Sequence, residues 1–319
     1  MLTAYLYLLC QCTHAIWYRA GNEMDGPGRA NTFPGIPHVA NETTRLRRRQ
    51  GTKFPMSVLI YHANAFCGPT ARGNPAAVCL LKKPAAAEWM QAVAQQMNLS
   101  QTGFIIRREP DQFDLRFFSP RKEMSLCGHV TFCAAHAVWS EMLCTKNTPI
   151  TFHTASGSLS VRNNDSFVEI ALPMNPCQET STPEWLSQAI PLRPVRVLAG
   201  VNKYLVEVAT AQEVEEVQPD FAVLRDRADR GVIVTAASAD PSYDIVSRYF
   251  AGYVGIDEDP ATGAAHCCLV PYWKEKLRKN RIRAHQASPR GGVMEGRIEA
   301  DRVLLAGKAR TVLRGELLI

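Results

Sequence analysis

Two short runs carry the side chains best suited to chemistry. Cys127-Gly128-His129 opens one apolar segment, and Asp259-Pro260-Ala261-Thr262-Gly263 opens another. An imidazole and a carboxylate are groups that can move protons near neutral pH once their surroundings tune them. Cys127-Gly128-His129-Val130 aligns with Thr262-Gly263-Ala264-Ala265, and each apolar segment runs on to a tryptophan, Trp139 and Trp273. If the two halves face each other, two helix N-termini point into one cleft. They then offer unpaired N–H groups and the positive ends of two dipoles. A small carboxylate fits such a site, and Gly128 and Gly263 permit its close approach to the backbone.

Simpler accounts exist for the same residues. Asp259 also reads as a helix N-terminal acid before a first-turn proline, so capping accounts for it equally well. His136 and His266 fall inside the two apolar helices and are expected to be structural.

The elements that must position these residues alternate with short connections. Strands are predicted at 58–66, 76–81, 103–107, 113–118, 150–154, 158–162 and 167–172, the last two joined by Asn163-Asn164. A helix opens at Pro84 and runs to about Met97, with Trp89, Val93 and Met97 on one face. The segment from Val130 to about Met142 is apolar nearly all round and is expected to be a central, buried helix. The second half repeats this plan. It has a short helix from Pro183, strands near 195–199, 204–208 and 231–235, and an alternating strand at 243–250. The second apolar helix runs to about Lys274, and strands near 282–286, 293–298, 303–305 and 310–317 finish the chain. The architecture implied is α+β, two sheets each wrapped around one apolar helix.

Composition narrows the class. The 319 residues are 46% hydrophobic and 21% charged, which suits a globular chain with a sizeable core and excludes a small disulfide scaffold. No apolar run approaches the roughly 18 residues of a membrane-spanning helix, so no membrane partner is expected. The net charge of +6 is concentrated at the start: residues 1–55 carry seven Lys and Arg against three acids. The rest of the chain is nearly neutral, so no nucleic-acid partner is expected, and Arg45–Arg49 reads as a solvated charge run. The ten cysteines are scattered, with no C-x-x-C and no zinc spacing, as in reduced cytoplasmic proteins; no metal site is expected. Met1–Cys12 is apolar like a short signal h-region and residues 21–50 have no helical or strand period, so residues 1–55 are read as a disordered or non-native extension before Met56. Asn98-Leu99-Ser100 is an N-glycosylation sequon in an expected buried loop, which argues against secretion.

Five motifs in order point further. They are Gly73-Asn74-Pro75-Ala76-Ala77-Val78, Met97-Asn98-Leu99-Ser100, Asp114-Leu115-Arg116-Phe117-Phe118-Ser119-Pro120, Leu126-Cys127-Gly128-His129 and Asp257-Glu258-Asp259-Pro260-Ala261-Thr262-Gly263. Together with Gln286–Gly292 they resemble the phenazine-biosynthesis PhzF-like family, in particular its animal branch of MAWD-binding proteins. The resemblance covers Met56–Ile319 and none of residues 1–55. It implies the diaminopimelate epimerase-like fold, with pseudo-symmetric domains at 56–172 and 173–307, a final strand (about 308–319) returning to the first, and the site between them. It also implies a homodimer without metal or organic cofactor, and an isomerase that shifts a proton and a double bond, as on trans-2,3-dihydro-3-hydroxyanthranilate.

The resemblance maps the site with two departures. The family's proton-shuttling glutamate, which follows Asn-Leu-Ser, is here Gln101. The serine that follows Thr-Gly is here Ala264. His129 and Asp259 match the family's catalytic positions, while Asn74, Ser100, Gly128, Gly263 and Ala264 fall where substrate is held. An amide has no proton-accepting state near neutral pH, so Gln101 can hydrogen-bond a substrate but cannot shuttle a proton. Losing such help typically costs on the order of a hundred- to ten-thousandfold in rate. Cys127 matches the catalytic cysteine of epimerase relatives, but Thr262 stands at its partner position, which argues against two-base epimerisation and leaves a packed thiol. The expectation is a cofactor-independent isomerase of weak or altered activity on a small cyclic carboxylate. The alternative is a non-catalytic descendant that binds a metabolite or a protein partner.

Overall fold

In the computed structural model, residues 57–318 are described, except 71, 146, 147, 165 and 166. The reading of residues 1–55 as an extension lies outside them.

The first half holds strands β1 (Val58–Cys67), β2 (Asn74–Leu81), β3 (Thr102–Glu109), β4 (Gln112–Phe118), β5 (Glu123–Met124), β6 (Ile150–Thr154), β7 (Gly157–Asn164) and β8 (Phe167–Pro173). Helix α1 (Ala87–Met97) follows β2, and α2 (Gly128–Ser140) follows β5. The second half runs β9 (Gln178–Glu179), α3 (Glu184–Ala189), β10 (Arg196–Ala199), β11 (Lys203–Glu207), α4 (Ala211–Glu216), α5 (Phe221–Arg227), β12 (Gly231–Ala237) and β13 (Ile245–Ala251). It ends with β14 (Ile256–Glu258), α6 (Gly263–Leu277), β15 (Arg281–Gln286), β16 (Gly292–Glu299) and β17 (Arg302–Leu317).

The first sheet closes on itself. Pairings run β1–β2–β3–β4–β6–β7–β8 and return through β17, whose later residues pair with β1 and whose earlier ones pair with β8. Helix α2 fills the ring. Of its thirteen residues, ten are buried, which its nearly continuous apolar sequence requires. The strand period of two divides β1 cleanly. Tyr61, Ala63 and Ala65 face α2, whereas Val58 and Ile60 pack outside with Met90 and Val93 of α1.

The second sheet continues from β17 through β16, β15, β13, β12, β11 and β10 to β9. One face covers α6 through Leu205, Ile233, Ile245, Leu269 and Trp273. The other covers α3, α4 and α5 through Val206, Val232, Val246, Leu186, Val214 and Leu224. Each central helix touches its sheet at a glycine. A Cβ on Gly103 would lie 2.6 Å from Val130 of α2, and one on Gly296 would lie 2.3 Å from Val270 of α6.

Several sequence expectations are corrected. Helix α1 begins at Ala87, three residues after Pro84. Helix α2 begins at Gly128 and ends at Ser140, because Met142 takes a left-handed φ of 53°. The strand expected to alternate at 243–250 is buried on both faces over Ile245–Ala251, since helices cover both sides of its sheet. Asn163 and Asn164 belong to β7, with Asn164 paired to Phe167. The last two predicted strands are one, and Gly307 passes through its middle against Phe66. Helices α4 and α5 were not predicted, although Thr210 and Glu213 form a capping box and Asp220 caps α5 through Ala222 and Val223.

Candidate active site

A cavity of about 620 Å³ lies where the N-termini of α2 and α6 converge. Gly128 and His129 line it from α2, Gly263 and Ala264 from α6, and Ser100, Gln101 and Asp259 from the loops before β3 and α6. Neither Cys127 nor Thr262, the residues preceding the two helices, caps its helix with a side-chain bond. Ala265 N–H turns back to the Thr262 carbonyl at 3.1 Å, while Gly128, Gly263 and Ala264, whose N–H groups have no intrahelical acceptor, stand at the cavity wall. A Cβ on Gly128 would meet nothing within 4 Å, so the space in front of the α2 terminus is open to a ligand. Ala264 is exposed to the cavity and brings no polar side chain to it.

Asp259 is held from both halves of the chain. Asn74 Nδ2 donates to its Oδ1 at 2.8 Å, and the Thr262 hydroxyl donates to its Oδ2. Its backbone is fixed too, with its N–H on Tyr249 O at 3.0 Å and its carbonyl accepting from Gln286 Nε2 at 2.7 Å. Desolvation pushes the carboxyl up to about 6, against the pull of the Thr262 and Asn74 hydrogen bonds. The capping account is thereby corrected: Thr262 is the N-cap residue, and Asp259 stands three residues before it as an acceptor rather than a cap. Asn74 is fully buried and lies behind Asp259, with a second bond to Ala261 O, rather than on the cavity wall.

His129 sits in the first turn of α2 and is buried. Its Nε2 lies 3.3 Å from Ser100 Oγ and its Nδ1 lies 3.2 Å from Cys127 Sγ. Burial lowers its pKa to about 4, so the ring is neutral at pH 7. Burial likewise pushes the Cys127 thiol up, which suits a packed thiol. Gln101 reaches the same cavity, and its Oε1 is buried without a hydrogen-bond partner among the described residues. His136 and His266 are structural as expected: the first bonds Thr311 Oγ1 at 2.9 Å and the second Thr262 O at 2.9 Å. Asn98 is exposed at the C-cap of α1, so the burial argument against glycosylation of its sequon does not hold.

The cavity also has a wall that sequence reasoning missed. Asn175, Asn202 and Lys203 line it, and Lys203 is 4% exposed. In the sequence, Lys203 looks like an ordinary lysine at the start of a strand, and only its burial distinguishes it. Among the described residues, no group of three or more His, Cys, Asp or Glu is placed to hold a metal ion, and no helix is long and apolar enough to cross a membrane.

Two sheets, each curled around an apolar helix whose N-terminus enters a shared cleft, define the epimerase-like α+β fold, that of diaminopimelate epimerase. The family model for phenazine biosynthesis-like proteins matches residues 63–315. This chain belongs to that family, the PhzF-like proteins. A Halalkalibacterium halodurans protein named an uncharacterized isomerase is 43% identical over 83% of this chain and all of its own length. The mouse phenazine biosynthesis-like domain-containing protein 1 is 36% identical over 82% of this chain and 99% of its own. The crystal structure of a PhzF-family protein from Enterococcus faecalis superposes with a TM-score of 0.77 at 32% identity, covering 82% of this chain and 99% of that one.

Proposed function

We propose that this cleft performs a cofactor-independent proton shift on a small cyclic carboxylate, moving a double bond, with Asp259 in place of Gln101 as the acid–base group. The reading is supported chiefly by Asp259 itself. Among the described residues it is the one carboxylic acid that lines the cavity, and its pKa of about 6 leaves it mostly ionised at pH 7 yet able to hold a proton.

The step is a transfer and a return. The Asp259 carboxylate takes a proton from a ring carbon. The electron pair of the broken C–H bond spreads through the adjacent π system toward the substrate carboxylate. The first-turn N–H groups at Gly128, His129, Gly263 and Ala264 stabilise the charge gathering on those oxygens. Asp259 then returns the proton to another carbon of the same ring. Neutral His129, held by Ser100, keeps the α2 terminus free of a competing positive charge. Gln101 can donate to the substrate or accept from it, but cannot shuttle a proton. Turnover is therefore expected on the order of a hundred- to ten-thousandfold below that of a glutamate-bearing site. We further read the cleft as lying between halves at 56–172, joined by the last strand, and 173–307.

A second reading, a site that binds a carboxylate without turning it over, is favoured by the same Gln101. One experiment separates them: the full chain, with Asp259→Asn and Gln101→Glu, on trans-2,3-dihydro-3-hydroxyanthranilate in deuterated water. Slow deuterium uptake by the natural chain, lost in Asp259→Asn and raised a hundredfold or more in Gln101→Glu, supports the isomerase. Exchange by Gln101→Glu alone supports the binding protein. Exchange that persists in Asp259→Asn removes Asp259 from the acid–base role.

A further inference from the structure

Lys203 poses a physical problem. Its side chain is buried at the cavity wall, yet among the described residues no carboxylate stands within ion-pair distance of it. Among the described residues its Nζ makes one hydrogen bond, to Asn202 Oδ1 at 2.6 Å. An ammonium has three donors, so two are left over. A buried cation without a counter-ion is costly, and such groups are retained where an anion completes them.

The surroundings hold this ammonium at the cleft. Asn175 Nδ2 donates to the same Asn202 Oδ1 at 3.2 Å, and Val201 N–H donates to Asn175 Oδ1 at 3.4 Å. Asn175 N–H in turn bonds the carbonyl of Cys267, one turn into α6, at 3.1 Å. The Asn175–Asn202–Lys203 wall is thus tied to the helix whose N-terminus forms the other end of the cavity.

The cavity therefore has two separate places for negative charge. One is the pair of helix termini, each equivalent to roughly half a unit charge. The other is Lys203, a full unit charge. We propose that Lys203 is a second anion-binding group of the cleft and that the acid recognised there is a dicarboxylate, one carboxylate at the helix termini and the other at Lys203 and Asn202. A carboxylate rather than a phosphate matches the single cation on this wall. The inference rests on the carboxylate-binding reading of the cleft and narrows its substrate class.

The test uses the full chain and matched probes: glutarate, adipate and isophthalate, each against its own monoamide, by calorimetric titration at low ionic strength. At least one diacid is expected to bind ten-fold or more tightly than its monoamide. Lys203→Gln should reduce that ratio to about one, and Lys203→Arg should keep most of it. Asn202 is exposed, so Asn202→Asp disturbs the fold least, and it gives Lys203 an internal carboxylate that should abolish the preference as Lys203→Gln does. Equal binding of every diacid and its monoamide, or a preference that survives both Lys203→Gln and Asn202→Asp, overturns the proposal while leaving the carboxylate site standing. Tighter binding of 3-phosphonopropionate than of any diacid overturns the dicarboxylate assignment. No binding of any acid overturns the site and the proposal together.

Discussion

Asn74 and Asp259 are 185 residues apart in the chain, and Asn74 Nδ2 donates to Asp259 Oδ1 at 2.8 Å. The same amide reaches Ala261 O at 2.8 Å, so one buried side chain of the first sheet fixes the loop that opens α6. A hydrogen bond to the charged form lowers a carboxyl pKa, and this one works against the desolvation that raises it.

Removing that bond should be visible in the pH dependence. As a base, Asp259 must be ionised, so kcat/KM for proton exchange should rise with pH through about 6. In Asn74→Ala the rising limb should move to higher pH by roughly one unit, the equivalent of about 1 kcal/mol of lost hydrogen bonding. A limb that stays in place would mean that Asn74 does not tune Asp259.

Asp259 should also cost stability at neutral pH. Its folded pKa of about 6 lies above the ordinary 3.8, so the folded chain binds the proton more tightly between those values. Its favourable contribution is complete below about pH 4 and lost as pH rises through about 6. Asp259→Asn should therefore melt above the natural chain at pH 7.5, by about 2–3 kcal/mol at most, with the gain vanishing by pH 4. Urea midpoints across that range would show it.

His129 and His266 act in the opposite sense. Burial lowers both to about 4, so the unfolded chain takes up protons that the folded chain refuses between about 6.5 and 4. Stability from these groups is present above pH 6.5 and lost as pH falls through about 4, at up to roughly 1.4 kcal/mol per pH unit for each histidine. His266→Asn keeps a donor near the Thr262 carbonyl and removes one titration. The acid slope of stability should fall by the His266 contribution alone, because His62, His129 and His285, which burial also lowers, still titrate; denaturation at pH 4.5, 5.5 and 6.5 measures it.

The two glycines under the central helices should be intolerant of any side chain. Gly103→Ala and Gly296→Ala each force a methyl to within 3 Å of Val130 or Val270. Each should cost about 1–3 kcal/mol by overpacking. Val130→Ala and Val270→Ala should partly restore their respective partners in double-mutant cycles, because the clash is with those side chains.

Much of this arrangement is legible in the chain because it is local. The apolar runs after Gly128 and Gly263 bury α2 and α6 whatever else surrounds them. The alternation in β1 sorts Tyr61 and Ala63 from Val58 and Ile60. The ordered motifs around Asn74, Ser100, His129 and Asp259 mark the family before any contact is known. The misreadings arose where a second layer intervenes. Strand β13 loses its expected alternation because α4 and α5 cover the face opposite α6, and those two short helices announce themselves only through the caps at Thr210 and Asp220.

By itself, then, the sequence determined which segments become buried helices and that Gln101 cannot shuttle a proton. Those properties depend on residue identity and on neighbours within a turn or a strand. Tertiary structure alone decided that Asn74 and Thr262 share Asp259, that His129 is neutral, and that Lys203 is a buried cation facing the cleft. Protonation and unpaired charge depend on how much water the surrounding protein excludes and on which polar groups remain nearby, and residues far apart in the chain set both.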